Sequence, residues 1–163
     1  MHTDAAAKQI LLWLWISLHA VGRSAALLVD SASGVAVPDE AIDRLRRGSH
    51  QPHVYLVCSG APLEQPRPLY VGKSDYPALR WANGHLPGLR RALLGRGGPY
   101  ARWIESFRSA RRPIHLMVVP QDAIIAPPIP GFPTSVGSVE YQLVALAQDA
   151  FPGTLLNREG VGR

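Results

Sequence analysis

Apolar residues concentrate near the N-terminus, where Ile10-Leu11-Leu12-Trp13-Leu14-Trp15-Ile16 runs without a polar break and Gln9 to Gly22 carries no acid and no permanently charged base. A bilayer span takes about 20 such residues, so the run reads as a buried helix, and no stable membrane insertion is expected. A secretory leader is the competing reading, since Lys8 precedes the run and alanines follow it. Asp4, Ser17, His19 and Arg23 argue against that. Ala25 to Val37 reads as the end of the helix and a loop through Ser31-Ala32-Ser33-Gly34. A short helix is expected from Pro38 to Arg47, with Asp39 and Glu40 in its first turn and Arg44, Arg46 and Arg47 at its end. That order complements the helix dipole. Residues 1–50 thus read as an N-terminal helical extension.

After Gly48-Ser49-His50-Gln51-Pro52 the pattern shortens. His53 to Cys58 and Pro68 to Lys73 read as strands, each ended by turn residues. Ser74-Asp75-Tyr76-Pro77 opens a helix that runs to about Asn83-Gly84, and Leu86 to Leu94 continues helically. Tyr100, Trp103, Ile104 and Phe107 recur at i, i+3, i+4 and i+7, which predicts a helix over 99–108 with these residues on its core face. Ile114 to Val119 reads as a third strand, 120–137 as a proline-rich loop, and Ser138 to Ala150 as a last helix. Strands interleaved with helices mean α/β (α+β): a small, largely antiparallel three-stranded sheet flanked by helices over residues 51–163.

A chain of 163 residues suits a single domain. With 47% hydrophobic and 18% charged residues, disorder is excluded as the dominant state. The single cysteine, Cys58, excludes an internal disulfide framework and a cysteine-based zinc site. Basic residues outnumber acidic ones 17 to 12, and all but Lys8 and Lys73 are arginine, which suits a polyanionic partner. Seven arginines (Arg90, Arg91, Arg96, Arg102, Arg108, Arg111 and Arg112) lie in one stretch whose single acid is Glu105. This is the candidate surface for a nucleic-acid backbone.

Candidate chemistry enters with the phase of the first two strands. Pairing them with Val54, Leu56, Leu69 and Val71 inward brings Tyr55 and Tyr70 out on one common face. Gly72 leaves room for close backbone approach of a ligand, yet the multi-glycine pattern of a phosphate loop is missing, which excludes a nucleotide triphosphatase. Val54-Tyr55 followed by Tyr70-Val71-Gly72-Lys73 resembles the paired motif of the GIY-YIG nuclease family. Arg80 stands eight residues after Gly72, Glu140 near the start of the last helix, and Asn157 after it, as that family's pattern asks. The resemblance spans about residues 52–160. Two departures stand out: His53 replaces the first motif glycine, and the family's histidine or tyrosine, four residues after the arginine, is here matched by His85, five residues on. That offset amounts to ~100° on a continuous helix, which a left-handed cap at Gly84 would correct.

The resemblance implies a metal-dependent endonuclease that hydrolyses phosphodiester bonds, with DNA placed ahead of RNA as partner. Glu140 would hold one Mg²⁺ (or Mn²⁺), and Arg80 would brace the scissile phosphate. Tyr55, its pKa lowered by Lys73 or Arg80 and the metal, would accept the proton of the attacking water, and Tyr70 would hydrogen-bond phosphate or water. His85 or Lys73 would handle the proton, and Asn157 would fix its loop and orient Glu140 or a metal-bound water. The rivals are a non-cleaving nucleic-acid-binding module of the same fold and an exported nuclease toxin. A cytoplasmic location goes with the first two readings and export with the third.

Overall fold

The computed structural model describes residues 2–31, 34–40, 43, 50–98 and 100–157. Five strands form one antiparallel sheet: β1 (Ser24–Ser31), β2 (Gly34–Ala36), β3 (His53–Ser59), β4 (Arg67–Ser74) and β5 (Ile114–Pro120). Their order is β2-β1-β5-β3-β4. The α+β class stands, but the sheet has five strands where the sequence predicts three. Both additions come from the supposed helical extension, which is helical in α1 (His2–His19) and then turns into β1 and β2. The small residues of Ser24-Ala25-Ala26 hide β1 from propensity. Its strand character comes from pairing along β5, with Ala25 opposite Leu116 and Ala26 opposite His115, a contact that only tertiary structure supplies. The helix expected over 38–47 falls largely outside the described residues.

Every residue of β3 is buried, so the sheet is covered on both faces. On one side Val54, Leu56 and Cys58 pack with Val71, Met117 and Val119 beneath α1 and α5 (Val136–Ala150). On the other, Tyr55 and Val57 pack with Leu69, Trp81, Leu89, Trp103 and Phe107. That second layer is built from a helical rod and from α4 (Ala101–Ala110). The rod comprises α2 (Pro77–Arg80), a π-helical turn (Trp81–His85) and α3 (Leu86–Leu93). The simple alternation expected for β4 fails at one point. The register shifts where Val57 faces Tyr70 and Cys58 faces Pro68, so β4 carries one extra residue, a bulge. Leu69 and Tyr70 therefore both pack on the aromatic side, while Val71 packs on the other.

α5 begins where Ser135, in extended conformation, accepts a hydrogen bond from the Ser138 N–H, an N-cap. The proline-rich connection before it is tied down by Gln142, which is buried. Its Nε2 donates to the Pro133 carbonyl at 2.8 Å, and its Oε1 accepts from the Ile129 N–H at 3.0 Å. The start of α5 is thereby fixed to the connection that precedes it. Among the described residues no helix is long and apolar enough to cross a membrane.

Candidate active site

β4 is the outer strand, and one cleft of about 560 Å³ wraps around its edge. Tyr55, Tyr70, Lys73, Arg80, His85, Glu140 and Asn157 all line it. They come from β3, β4, the helical rod, α5 and the segment after α5, so five separate stretches of chain converge there.

Tyr55 sits on the inner strand β3, opposite Gly72 of β4. A Cβ at position 72 would overlap the end of the Tyr55 ring. Gly72 is therefore small because the phenol lies across it, and the room inferred from sequence for a ligand is taken by the protein's own side chain. Tyr70 stands beside Tyr55, with ring centroids 6.1 Å apart and planes 20° from parallel. Contrary to the sequence expectation, Tyr55 is fully buried rather than outward-facing. Burial, reinforced by Tyr70, pushes its pKa up, and hydrogen bonding and charge from Arg80 only partly oppose this. The lowering expected from Arg80 is thus outweighed within the chain itself, because removing a phenolate from water costs more than one exposed guanidinium returns.

The five-residue spacing from Arg80 to His85 resolves without ending the helix. The Leu86 N–H bonds to the Trp81 carbonyl five residues back, and the backbone stays right-handed helical on both sides of the π turn. Such a turn accommodates one extra residue within a helix, so His85 points into the same cleft as Arg80. No left-handed cap forms at Gly84, which is part of the π turn and not a positive-φ glycine. His85 Nε2 lies 3.3 Å from the Tyr55 hydroxyl, and its Nδ1 lies 2.7 Å from the Tyr100 hydroxyl. Burial first, and the Arg80 charge second, lower its pKa to about 4. The ring is neutral at pH 7, so it donates to one tyrosine oxygen and accepts from the other. The Arg80 guanidinium interacts with Tyr55 foremost and with Tyr70, which raises its own pKa.

Lys73 pairs in register with Val54, so it springs from the face opposite Tyr55. Its Nζ lies 4.0 Å from Glu140 Oε2. The lysine is therefore a partner of the carboxylate, and the reading of Lys73 as proton partner of Tyr55 is corrected on that ground. Asn157 likewise has a narrower position than expected. Its Oδ1 accepts from the Val71 N–H at 2.9 Å and its Nδ2 donates to the Val71 carbonyl at 2.6 Å. The side-chain amide imitates a neighbouring strand and covers the edge of β4. It fixes its own loop, with Leu156 N–H donating to the Leu69 carbonyl at 2.6 Å.

Among the described residues Glu140 is the sole carboxylate lining the cleft, and these residues hold no cluster of three or more His, Cys, Asp or Glu side chains suited to a metal. A preformed all-protein cage for a cation is therefore not what these residues make. They do fit Mg²⁺ held by one carboxylate with most of its water shell and a substrate phosphate, the usual manner for this ion.

Sequence reasoning missed Tyr100, Trp103, Tyr141 and Gln148, which also line the cleft. Tyr100 and Trp103 belong to the periodic apolar stripe, whose N-terminal end runs out of the core and into the site. Nothing in the local sequence around Tyr141 separates it from any solvent-facing helical residue. The arginine stretch divides. Arg90, Arg91, Arg96, Arg102, Arg108 and Arg111 are exposed, and the Arg91 charge bears on the Tyr100 hydroxyl. Arg112 is half-buried. Its guanidinium fills the space over Gly60, donates to the Glu64 carbonyl and approaches the Glu64 carboxylate at 4.0 Å. Arg112 thus braces the loop before β4 and is withdrawn from the candidate nucleic-acid surface.

No protein-family model, no curated protein and no solved structure matches the chain.

Proposed function

We propose that the chain is a metal-dependent endonuclease of the GIY-YIG type, hydrolysing nucleic-acid phosphodiesters, with DNA ahead of RNA. The observation that carries this reading is the convergence of Tyr55, Tyr70, Arg80, His85 and Glu140, scattered over 86 positions of sequence, on one cleft at a sheet edge. Arg80, already against the two phenols, is the cation that receives the scissile phosphate, its planar fork matching two phosphate oxygens. Glu140 holds the divalent ion, which when bound supplies positive charge for the pentacoordinate phosphate.

Proton transfer runs through the tyrosine–histidine pair. A phenol kept protonated by burial is a poor base by itself. Its neighbour His85 is neutral and lies within reach. The attacking water gives its proton to the Tyr55 oxygen while the Tyr55 proton passes to His85 Nε2. The hydroxide oxygen bonds to phosphorus, and the leaving oxygen takes a proton from solvent. Bound phosphate offsets the Arg80 charge that depresses His85, so substrate itself raises the basicity of the acceptor.

One observation favours the second reading, a non-cleaving binding module: Lys73 already compensates the Glu140 carboxylate. Incubation with supercoiled plasmid, single-stranded DNA and RNA, with Mg²⁺, Mn²⁺ or chelator, separates the two. Metal-dependent nicking supports the nuclease. Tight binding without cutting under every metal supports the module and overturns the nuclease.

A further inference from the structure

The cleft is larger than the chemistry requires. Besides Tyr55, Tyr70, Arg80, His85 and Glu140, its lining includes Tyr141, Val144, Ala145 and Gln148 of α5, and Leu156. This part of the lining is largely aliphatic, and Tyr141 within it is 76% exposed. An exposed aromatic next in sequence to a carboxylate, with aliphatic neighbours, is a poor place for a phosphate. It suits a flat, aromatic, hydrogen-bonding group.

We propose that this part of the cleft is a nucleobase subsite, in which the base flanking the scissile phosphate stacks on Tyr141. The subsite rests on the nuclease reading and adds a substrate class to it. Tyr141 follows Glu140 directly on α5, so one helical turn carries both the carboxylate and the ring. Successive positions of a helix point about 100° apart, so Tyr141 does not share the direction that brings Glu140 to Lys73, and it is exposed. The walls, Val144 and Ala145, lie three and four residues further on and share that side of the helix.

A base in a duplex has both faces covered by its neighbours, so a base stacked on Tyr141 has left that stack. The preferred substrate is therefore a strand with an unpaired nucleotide at the cut: single strands, flaps or bulges. Stacking on an aromatic ring tolerates every base, so the subsite selects for base accessibility rather than for sequence.

The test uses full-length protein in chelator, so that binding is read without cutting. The probe is an oligonucleotide abasic at every position but one, which carries 2-aminopurine; the only base present defines the register. Wild type is expected to bind it about tenfold more tightly than a fully abasic strand, with quenched fluorescence. Tyr141→Ala should bind both strands alike and leave the fluorescence unquenched, while Tyr141→Trp should restore preference and quenching. Because Tyr141 is exposed, unchanged melting of the variants is expected and is checked alongside. Equal preference and quenching in wild type and Tyr141→Ala would overturn the subsite and leave the nuclease reading standing. Tighter binding of fully paired duplex than of single strand overturns the unpaired-substrate assignment. Wild type that neither binds nor cuts any nucleic acid overturns the nuclease reading, and the subsite with it.

Discussion

The two faces of the sheet are built from alternate residues of the same strands, and they are different materials. Beneath α1 and α5, Leu12, Ile16, Val54, Leu56, Met117, Val119, Val139 and Leu143 form a chiefly aliphatic layer. On the other face Tyr55, Trp81, Trp103 and Phe107 form an aromatic one, with Tyr70, His85 and Tyr100 at its margin. Aliphatic side chains bury area and nothing else. Tyrosine, tryptophan and histidine bury area while presenting a polar tip, so the aromatic face runs continuously from packing into chemistry at the edge of β4. Gly72 is the joint between the two, since the Tyr55 ring crosses it to reach that edge.

If the faces divide stability from chemistry, substitutions on them should separate the two. Leu143→Ala, fully buried on the aliphatic side, should cost about 2–5 kcal/mol in denaturant melts while the cleavage rate per folded molecule stays as it was. Glu140→Gln keeps shape and removes the charge a divalent ion needs. Cleavage should fall by about 10²–10³-fold, the scale for one main electrostatic element of a site, with melting and nucleic-acid binding retained. A Leu143→Ala protein that folds but no longer cuts would break the division. So would a Glu140→Gln protein that still cuts with Mg²⁺.

Gly72→Ala tests the joint and should fail on both counts. The added methyl group meets the Tyr55 ring, so a loss of about 1–3 kcal/mol from overpacking is expected, together with loss of activity as the hydroxyl leaves His85. Unchanged melting would show that Tyr55 can move aside without consequence.

Acid should weaken the aromatic face through His85. Its pKa is about 4 in the folded chain against about 6.5 unfolded, so between those values the unfolded state binds more protons. Stability is therefore full above about pH 6.5 and declines as pH falls toward 4. The His85 share of that decline is about 2 kcal/mol between pH 7.5 and 5.0. His19 and His115, also lowered by burial, add loss of the same sign. Urea melts at both pH values should show a smaller pH difference for His85→Gln than for wild type; equal differences would mean His85 is not the group that charges.

The smallest effect concerns which end of the aromatic face touches a nucleic-acid backbone. Arg111 and Arg112 stand near Ser59, four residues along β3 from Tyr55, or about 13 Å at strand rise. Arg91 adjoins Tyr100. Replacing Arg90, Arg91 and Arg96 by alanine should flatten the salt dependence of duplex binding by about 0.9 log units of slope per lost contact. Replacing Arg108 and Arg111 should change it less. The reverse ranking would move the interface to the far end of α4.

By itself the sequence determined the helices and strands whose patterns are strong within a few residues. The run around Leu12 and Trp15, the His53–Cys58 and Ile114–Val119 strands, and the stripe from Tyr100 to Phe107 are legible because burial on one face imposes a period. It also marked the residues that line the cleft, since Tyr55, Tyr70, Arg80, Glu140 and Asn157 stand at spacings that strand pairing and helix phase translate into positions. What it did not hold was anything that depends on a distant partner. Ser24–Ser31 became a strand because β5 offered an open edge, and Leu69 changed faces because a bulge absorbed one residue. His85 returned to the site through a π turn that no local residue pattern announces. The protonation of Tyr55, too, was decided by burial under a second layer of helices, and burial is a property of the assembled fold, which no spacing of residues contains.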